Sequence, residues 1–276
     1  MIRRLSFVLL ALILLIGAAF LVGYRNARAD PIVRRAAVAL PGWPAGQPPV
    51  TIALLSDIHM ESAAMDAARL DRIVDQVNAL HPDLIVLAGD FIEGRGVDEA
   101  ARAIPLLARP LARLRAPLGR VAVLGNHDHW TDPAPLAAML RRIGIVVLAN
   151  EGREIGPLAV GGLDDPATSR ARPEKTLEAL AALQGAGVMV AHSPAIAPQL
   201  SSRTRLLLAG HTHCGQVVLP LIGAPFEVTS PHDRCGIVHD PGRVTIVTAG
   251  LGTSNLPVRY GAPPDVWLVR VGLGGR

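Results

Sequence analysis

The chain is poor in cysteine and in aromatic rings, and each shortage narrows what it can be. It has two cysteines among 276 residues, Cys214 and Cys235. Two thiols are too few for a disulfide framework or for a cysteine-rich structural zinc site. In an oxidising compartment the pair would be able to close a loop behind the histidine-containing turn at 210–216; two small buried thiols are the equal alternative. Aromatic residues make up 3 % of the chain, so a core has to be packed from Ala, Leu, Val and Ile. The same shortage argues against a nucleic-acid surface, which wants clustered basic residues interleaved with stacking rings. The net charge of +4 comes from scattered arginines far more than from lysine, which favours anionic substrates or lipid head groups weakly. Internal repeats and low-complexity tracts are missing, and half of the residues are hydrophobic, enough to fill the core of one large α/β domain.

What the chain does have begins at its N-terminus. Residues 5–23, LSFVLLALILLIGAAFLVG, carry no charge. As a helix this run would be about 28 Å long, close to the thickness of a bilayer's hydrocarbon. Arg3 and Arg4 precede it, as expected of an anchor that starts in the cytoplasm. The competing reading is a secretory signal cut after Ala27-Arg28-Ala29, with the twin arginine loosely resembling a Tat signal. An uncleaved anchor over 1–24 is favoured, and either reading exports the rest of the chain. Residues 25–49, with LPGWPAGQPP, have the composition of a stiff linker. A single domain is then expected over 50–276.

Within that domain, short apolar runs read as strands at 51–55, 84–87, 121–124, 145–148, 158–160, 188–190, 206–208, 244–247 and 266–269. Helical patterns lie at 65–80, 99–114, 135–143 and 173–183. Such alternation predicts sheet covered by helices, with ligand chemistry at the carboxyl ends of the strands. Five of those ends carry Ser56-Asp57-Ile58-His59, Gly89-Asp90-Phe91-Ile92-Glu93, Gly125-Asn126-His127-Asp128, Ala191-His192-Ser193 and Gly210-His211-Thr212-His213. Any one of them is ordinary, because an Asp after a strand is often a helix cap and a single His a satisfied polar residue. All five together deliver Asp, His and Asn to one rim. Carboxylate, imidazole and amide donors suit Mn²⁺, Fe²⁺ or Zn²⁺, and seven or more of them exceed the needs of one ion. Two divalent ions are therefore expected. In GHTHCGQ, the i, i+2 spacing of an extended backbone would send His211 and His213 to one face and Cys214 away from it. Gly210 and Gly215 would permit the turn.

In this order the blocks D-x-H, G-D-x-x-[D/E], G-N-H-[D/E], a lone H and G-H-x-H resemble the calcineurin-like metallophosphoesterases, over residues 50 to about 270. The stretch from Gly252 to Arg259, followed by Pro263-Pro264, resembles the membrane-associated bacterial branch, related to UDP-2,3-diacylglucosamine pyrophosphatases of lipid A synthesis. The resemblance implies a four-layer α/β/β/α sandwich of two mixed β-sheets flanked by helices, without a large cap domain and with an open cleft. It implies that Asp57, His59 and His213 hold one metal, that Asn126, His192 and His211 hold the other, and that Asp90 bridges them. It also implies that His127 touches the scissile phosphate and protonates the leaving oxygen, with Asp128 steering its ring and Glu93 behind the ligands. The expected reaction is attack on phosphorus by a metal-bridging hydroxide, rising and then falling with pH.

The expected substrate is a lipid-linked or sugar-lipid phosphate, and the expected setting is a monomer in a bacterial inner membrane with its domain on the outer side. Phosphodiester cleavage on soluble nucleotides and a non-catalytic metal-binding scaffold are the alternatives; no nucleic-acid partner is expected. Arg259 is a candidate phosphate contact, with a plain surface arginine as the bland reading. His129 and Trp130 divide evenly between lining the cleft and forming a solvated turn. His81 reads as a helix-end residue, and His232 and His239 as exposed loop positions.

Overall fold

The computed structural model describes residues 2–201 and 204–273, so Met1 and the last three residues of the expected domain lie outside it. Element α1 is a helix, Ile2–Ala27. Its stretch Ser6–Ala27 has a mean hydropathy of 2.8 and is almost wholly exposed, long and apolar enough to cross a membrane.

The remaining elements follow in chain order: strands β1 (Ile32–Ala39) and β2 (Val50–Leu55), helix α2 (Ala67–Ala79), β3 (Leu84–Ala88), α3 (Val97–Ala112), β4 (Arg120–Val123), α4 (Asn126–Trp130), α5 (Pro133–Arg142), β5 (Val146–Val147), β6 (Glu151–Ile155), β7 (Leu158–Gly162), α6 (Pro173–Ala181), β8 (Ala186–Val190), β9 (Leu206–Ala209), β10 (Gly236–Asp240), β11 (Arg243–Val247) and β12 (Asp265–Gly272). They form two six-stranded mixed sheets, ordered β1-β12-β2-β3-β4-β5 and β10-β11-β9-β8-β7-β6.

The period-two alternation of a strand builds the layers. Ile52, Leu54, Val86 and Val123 from the first sheet meet Val160, Val188, Leu208 and Ile246 from the second, making a dry centre. Their neighbours Ala53, Leu55, Leu87 and Ala122 face outward onto Leu70, Ile73, Leu107 and Leu140 of α2, α3 and α5. On the far side, Met189 and Leu207 pack with Ile196 and with Leu177 and Leu180 of α6. This is the four-layer sandwich that the resemblance implies. Buried strands with both faces covered explain why the central runs are continuously apolar.

Three strands lie outside the sequence expectation, and all three are sheet edges. Strand β1 falls inside the expected linker, yet it pairs in parallel with β12 from Ile32↔Asp265 to Ala39↔Gly272. Its arginines disguise it: Arg34 ion-pairs with buried Asp265 at 2.7 Å and its guanidinium lies over the Trp267 ring. Strands β6 and β10 carry charged and polar residues on their outer faces for the same reason, since an edge needs protection against pairing. Residues 28–31 and 40–49 of the expected linker lack a strand or helix, and in the second stretch Trp43 is buried and donates to Gln47 O at 3.1 Å.

No free linker separates α1 from the sandwich. Arg259 N donates to Gly23 O at 2.9 Å, Asn26 Nδ2 to Arg259 O at 3.2 Å, and Tyr24 Oη to Ala63 O at 3.1 Å. Buried Arg69 on α2 donates to the carbonyls of Arg28 and Ala29, while Arg28 pairs with Asp66, the N-cap of α2. The two cysteines, whose pairing the sequence left open, are joined in a disulfide that closes the loop 214–235.

Candidate metal centre

The turns that follow β2, β3, β4, β8 and β9 converge on one rim, and those after β2, β3 and β9 do so under backbone strain. Asp57, His59, Asp90, His211 and His213 all have φ between +47° and +70°. For residues with a Cβ this region costs of order 1–3 kcal/mol each, and it persists only where the surroundings over-determine it. Here they do: Asp57 N donates to Gly89 O at 2.9 Å, His59 N to Asp90 O at 3.0 Å, and His211 N to the Asp57 carboxylate at 3.0 Å. Gly210 and Gly125 let these turns touch. A Cβ on Gly210 would stand 2.0 Å from Ser56 Oγ, and one on Gly125 would stand 2.3 Å from Asp90 Oδ1. The 210–216 segment is thus a left-handed, 3-10-like turn rather than the extended stretch expected from the spacing, with Cys214 at φ +54°. Both histidines still reach the rim, and the Cys214 sulfur faces away into its disulfide.

Two groups of donors result. In the first, His59 Nε2 and His213 Nε2 face each other at 3.1 Å, with Asp57 Oδ1 at 3.5 Å from His213 Nε2. In the second, His192 Nε2 and His211 Nδ1 are likewise 3.1 Å apart. Asp90 Oδ2 stands 3.2 Å from His192 Nε2 and 3.5 Å from His59 Nε2, between the groups. Side-chain donors bound at about 2.0–2.2 Å to one ion would sit roughly 3.0–3.6 Å from each other, so these spacings fit divalent cations. Asn126 Oδ1 is buried at the same rim and has no hydrogen-bond partner, as a donor reserved for a metal would.

The atoms behind the donors fix the rings. His192 Nδ1 donates to Ala88 O at 2.7 Å, leaving Nε2 for the centre, and His59 Nδ1 faces Glu93 Oε2 at 2.6 Å. Glu93 therefore buttresses a candidate ligand, as expected. Asp128 does not steer the ring of His127. Its carboxylate accepts from the backbone N–H groups of Asp90, Phe91, Ile92 and Gly125, which clamps the Asp90 turn. A short acceptor two positions inside the α4 turn is better placed for neighbouring N–H groups than for the ring beside it.

Arg259 is also reassigned. It is fully buried, and its guanidinium donates to the carbonyls of Gly252, Ala249 and Ala262 at 2.6–2.9 Å, with Nη2 at 3.3 Å from His213 Nδ1. With its donors spent on backbone, it positions the last loops and is not a phosphate contact.

Burial and charge set opposite protonation tendencies on neighbouring groups. Burial opposes a charge on His192, yet Asp90 and Asp57 beside it raise its pKa to about 10. His211 is pushed down to about 3 by burial and by the His192 charge, and His213 is lowered well below its ordinary value by burial and His59. Asp90 overcomes its own burial through His192, His59 and His127 and is held well below the usual carboxylate range. Burial and the Asp90 charge push Asp128 up to about 7. Carboxylates flanked by imidazoles that share too few protons are what a cation would complete.

A cavity of about 420 Å³ opens over the donors. His127 lines it, with Nδ1 at 3.2 Å from Gly94 O and Nε2 at 3.4 Å from Ser254 Oγ. Trp130 lines it too, packed on His127 and under the Arg95 guanidinium, whereas His129 turns away to Asp164 at 2.7 Å. The even reading of that pair thus splits between its members. His81 closes the last turn of α2 at φ +50°, and His232 and His239 are exposed. Sequence reading missed Ser254, Phe226, Val228 and Leu256 at the cavity wall. Polar or apolar loop residues without a ligand-type side chain give no signal until the fold brings them to a site.

A profile of the calcineurin-like phosphoesterases matches residues 50–215. The chain belongs to that family. Among its relatives are an uncharacterized metallophosphoesterase of Aquifex aeolicus, 31 % identical over 223 residues, covering 78 % of this chain and 82 % of that one. Another, from Bacillus subtilis, is 30 % identical over 226 residues, covering 78 % and 76 %. A Danio rerio transmembrane protein with a metallophosphoesterase domain is 29 % identical over 266 residues, covering 88 % of this chain but only 58 % of its own length. This calcineurin-like chain is accordingly a metal-dependent phosphoester hydrolase.

Proposed function

We propose that the chain is a membrane-anchored, dinuclear hydrolase of lipid-linked phosphoesters. The observation that carries the dinuclear reading is the placement of Asp90 Oδ2, within 3.5 Å of an imidazole nitrogen in each donor group. Asp57, His59 and His213 would hold one ion, Asn126, His192 and His211 the other, and Asp90 both. When bound, such ions supply Lewis-acid charge to the phosphoryl oxygens and acidify water.

The chain's own residues do the rest. His127 presents Nε2 to the cavity from a ring whose pKa is lowered by burial. An incoming phosphoester anion favours its protonated form, and the ring then gives its proton to the leaving oxygen. Asp128 holds Asp90 in register through backbone, Glu93 orients His59, and Arg259 ties His213 to the loop that carries Ser254. No side chain needs to act as nucleophile.

The lipid-linked substrate rests on α1 and on the hydrogen bonds that join its end to the domain, which keep the site beside the bilayer that α1 would span. The disulfide supports an extracytoplasmic domain, since such bonds persist in oxidising compartments. The test is to titrate the purified full chain with Mn²⁺, Fe²⁺ and Zn²⁺ by calorimetry, then to assay it on a lipid diphosphate in mixed micelles and on a cyclic nucleotide. Two ions per chain and preference for the lipid are expected. One ion would defeat the dinuclear reading, and preference for the nucleotide would defeat the lipid one.

A further inference from the structure

Among the described residues of the sandwich, those of the disulfide-closed loop gather the most exposed large apolar side chains into one segment. Leu219, Leu221, Ile222, Phe226 and Val228 are all exposed, with Leu221 fully so and Ile222 at 72 %. The tip is a tight turn, in which Leu219 N donates to Gly223 O and Gly223 N donates to Leu219 O. Leu221 stands at that tip with φ +67°. A β-substituted apolar residue in the left-handed region, presented to water, costs both strain and hydration. The base is rigid: besides the disulfide, Thr212 Oγ1 donates to Arg234 O at 2.7 Å, and Arg234 pairs with Glu227.

Two further observations place this loop. Val218 N donates to Tyr260 O at 2.8 Å, and Val217 bridges Tyr260 in parallel. Tyr260 in turn lies against α1, its hydroxyl donating to Ala19 O and accepting from Gly23 N. The loop therefore departs from the residue that touches the candidate membrane span near its outer end, the depth at which tyrosines sit at bilayer interfaces. The loop also borders the site. Val217 on one arm and Phe226 and Val228 on the other line, with Leu256, the cavity that His211, His213 and Asn126 line as well.

We propose that the loop 214–235 inserts its apolar tip into the bilayer that anchors α1, so that the cavity opens at the membrane interface and takes an amphiphilic phosphoester directly from it. This rests on the hydrolase reading for the reaction and on geometry for the membrane contact. The phosphate head reaches the polar end between His127 and His211, and the acyl portion runs along Phe226 and Val228 into the lipid. Exposed Arg25 at the end of α1 faces anionic head groups at the same level.

The full chain, reconstituted in vesicles of phosphatidylethanolamine and phosphatidylglycerol, tests this without reliance on turnover. Trp replaces Ile222 in one variant and Arg153, on the exposed face of edge strand β6, in another; emission of the parent chain is subtracted. Brominated acyl chains should quench Ile222→Trp severalfold more than Arg153→Trp, and equal quenching overturns the proposal. Quenching that vanishes as emission shifts with protein density overturns it too, because the tip then packs on a second copy. In the same vesicles Leu221→Asp with Ile222→Asp should lower the ratio of lipid-ester to p-nitrophenyl phosphate turnover at least tenfold, because two apolar side chains can then no longer enter the lipid. An unchanged ratio sinks the delivery role. Quenching with no hydrolysis of either ester would uphold the loop and fell the hydrolase.

Discussion

At the scale of single residues, the proton-donor role proposed for His127 is tested by a variant that separates binding from chemistry. It lines the cavity, and one of its ring nitrogens also lies within 4.8 Å of donor atoms on His59 and Asp90, although the two donor sets proposed above do not use it. His127→Ala should keep the stoichiometry of bound metal while kcat falls about 10²–10⁴-fold, the usual worth of a positioned proton donor. Loss of metal from this variant would make His127 a ligand instead. The proton on His192 gives a second test. Its pKa near 10 means that below this value a proton occupies the nitrogen a cation needs. Metal affinity should therefore rise with pH, about tenfold per unit for one displaced proton, levelling off only toward 10. Calorimetry in buffers of different ionisation heat reads that proton directly, and a flat dependence would remove His192 from the ligand set.

Arg259 shows where residue-level reading stops. Sequence alone offered a phosphate contact or a surface side chain, and the structure shows a fully buried guanidinium bound to three backbone carbonyls. Arg259→Met would leave those carbonyls unpaired and should cost about 3 kcal/mol or more in urea unfolding. A stability within 1 kcal/mol of the parent, taken as about the ordinary surface effect, would contradict the staple role.

At the scale of elements, the central strands were legible because both of their faces are covered, which forces continuous apolar runs and leaves polar residues only at the ends. The four longer helices of the sandwich, α2, α3, α5 and α6, were legible through their 3.6-residue apolar period, whereas the caps Asp66 and Asp132 emerged only with the structure. The candidate donors were legible for a related reason: Asp, His and Asn directly after such runs seldom recur five times in order by chance. Strands β1, β6 and β10 were hidden because an edge carries charge by necessity. The left-handed turns at Asp57, Asp90 and His213 were hidden because Asp and His, although enriched at positive φ, adopt it in only a minority of positions; here tertiary hydrogen bonds impose it. Gly210→Ala tests how tight that imposition is. Its Cβ would collide with Ser56 Oγ and Asp57 Oδ2, so bound metal should fall at unchanged far-ultraviolet circular dichroism.

At the scale of the whole molecule, hydrogen bonds at Gly23, Tyr24 and Asn26 tie the end of α1 to the sandwich, and the segment just after it carries the buried junction. A chain that begins at Arg25 keeps the carbonyls of Arg28 and Ala29 for Arg69, and should melt near the parent. One that begins at Val33 strips buried Arg69 of these two carbonyls, leaving it Leu251 O and Ala64 O, and should lose about 2–4 kcal/mol, seen as a lower Tm. Equal melting of the two would show that the junction contributes nothing.

The order of strands in the first sheet has one last consequence. Strand β12 lies between β1 and β2, although every other strand precedes it in the chain. A ribosome that has delivered everything up to Pro264 has made a protein whose opening strand has no neighbour to join. Among the described strands β12 is the only neighbour of β1, so a chain cut before Asp265 would leave that opening strand adrift and Arg34 without its buried partner.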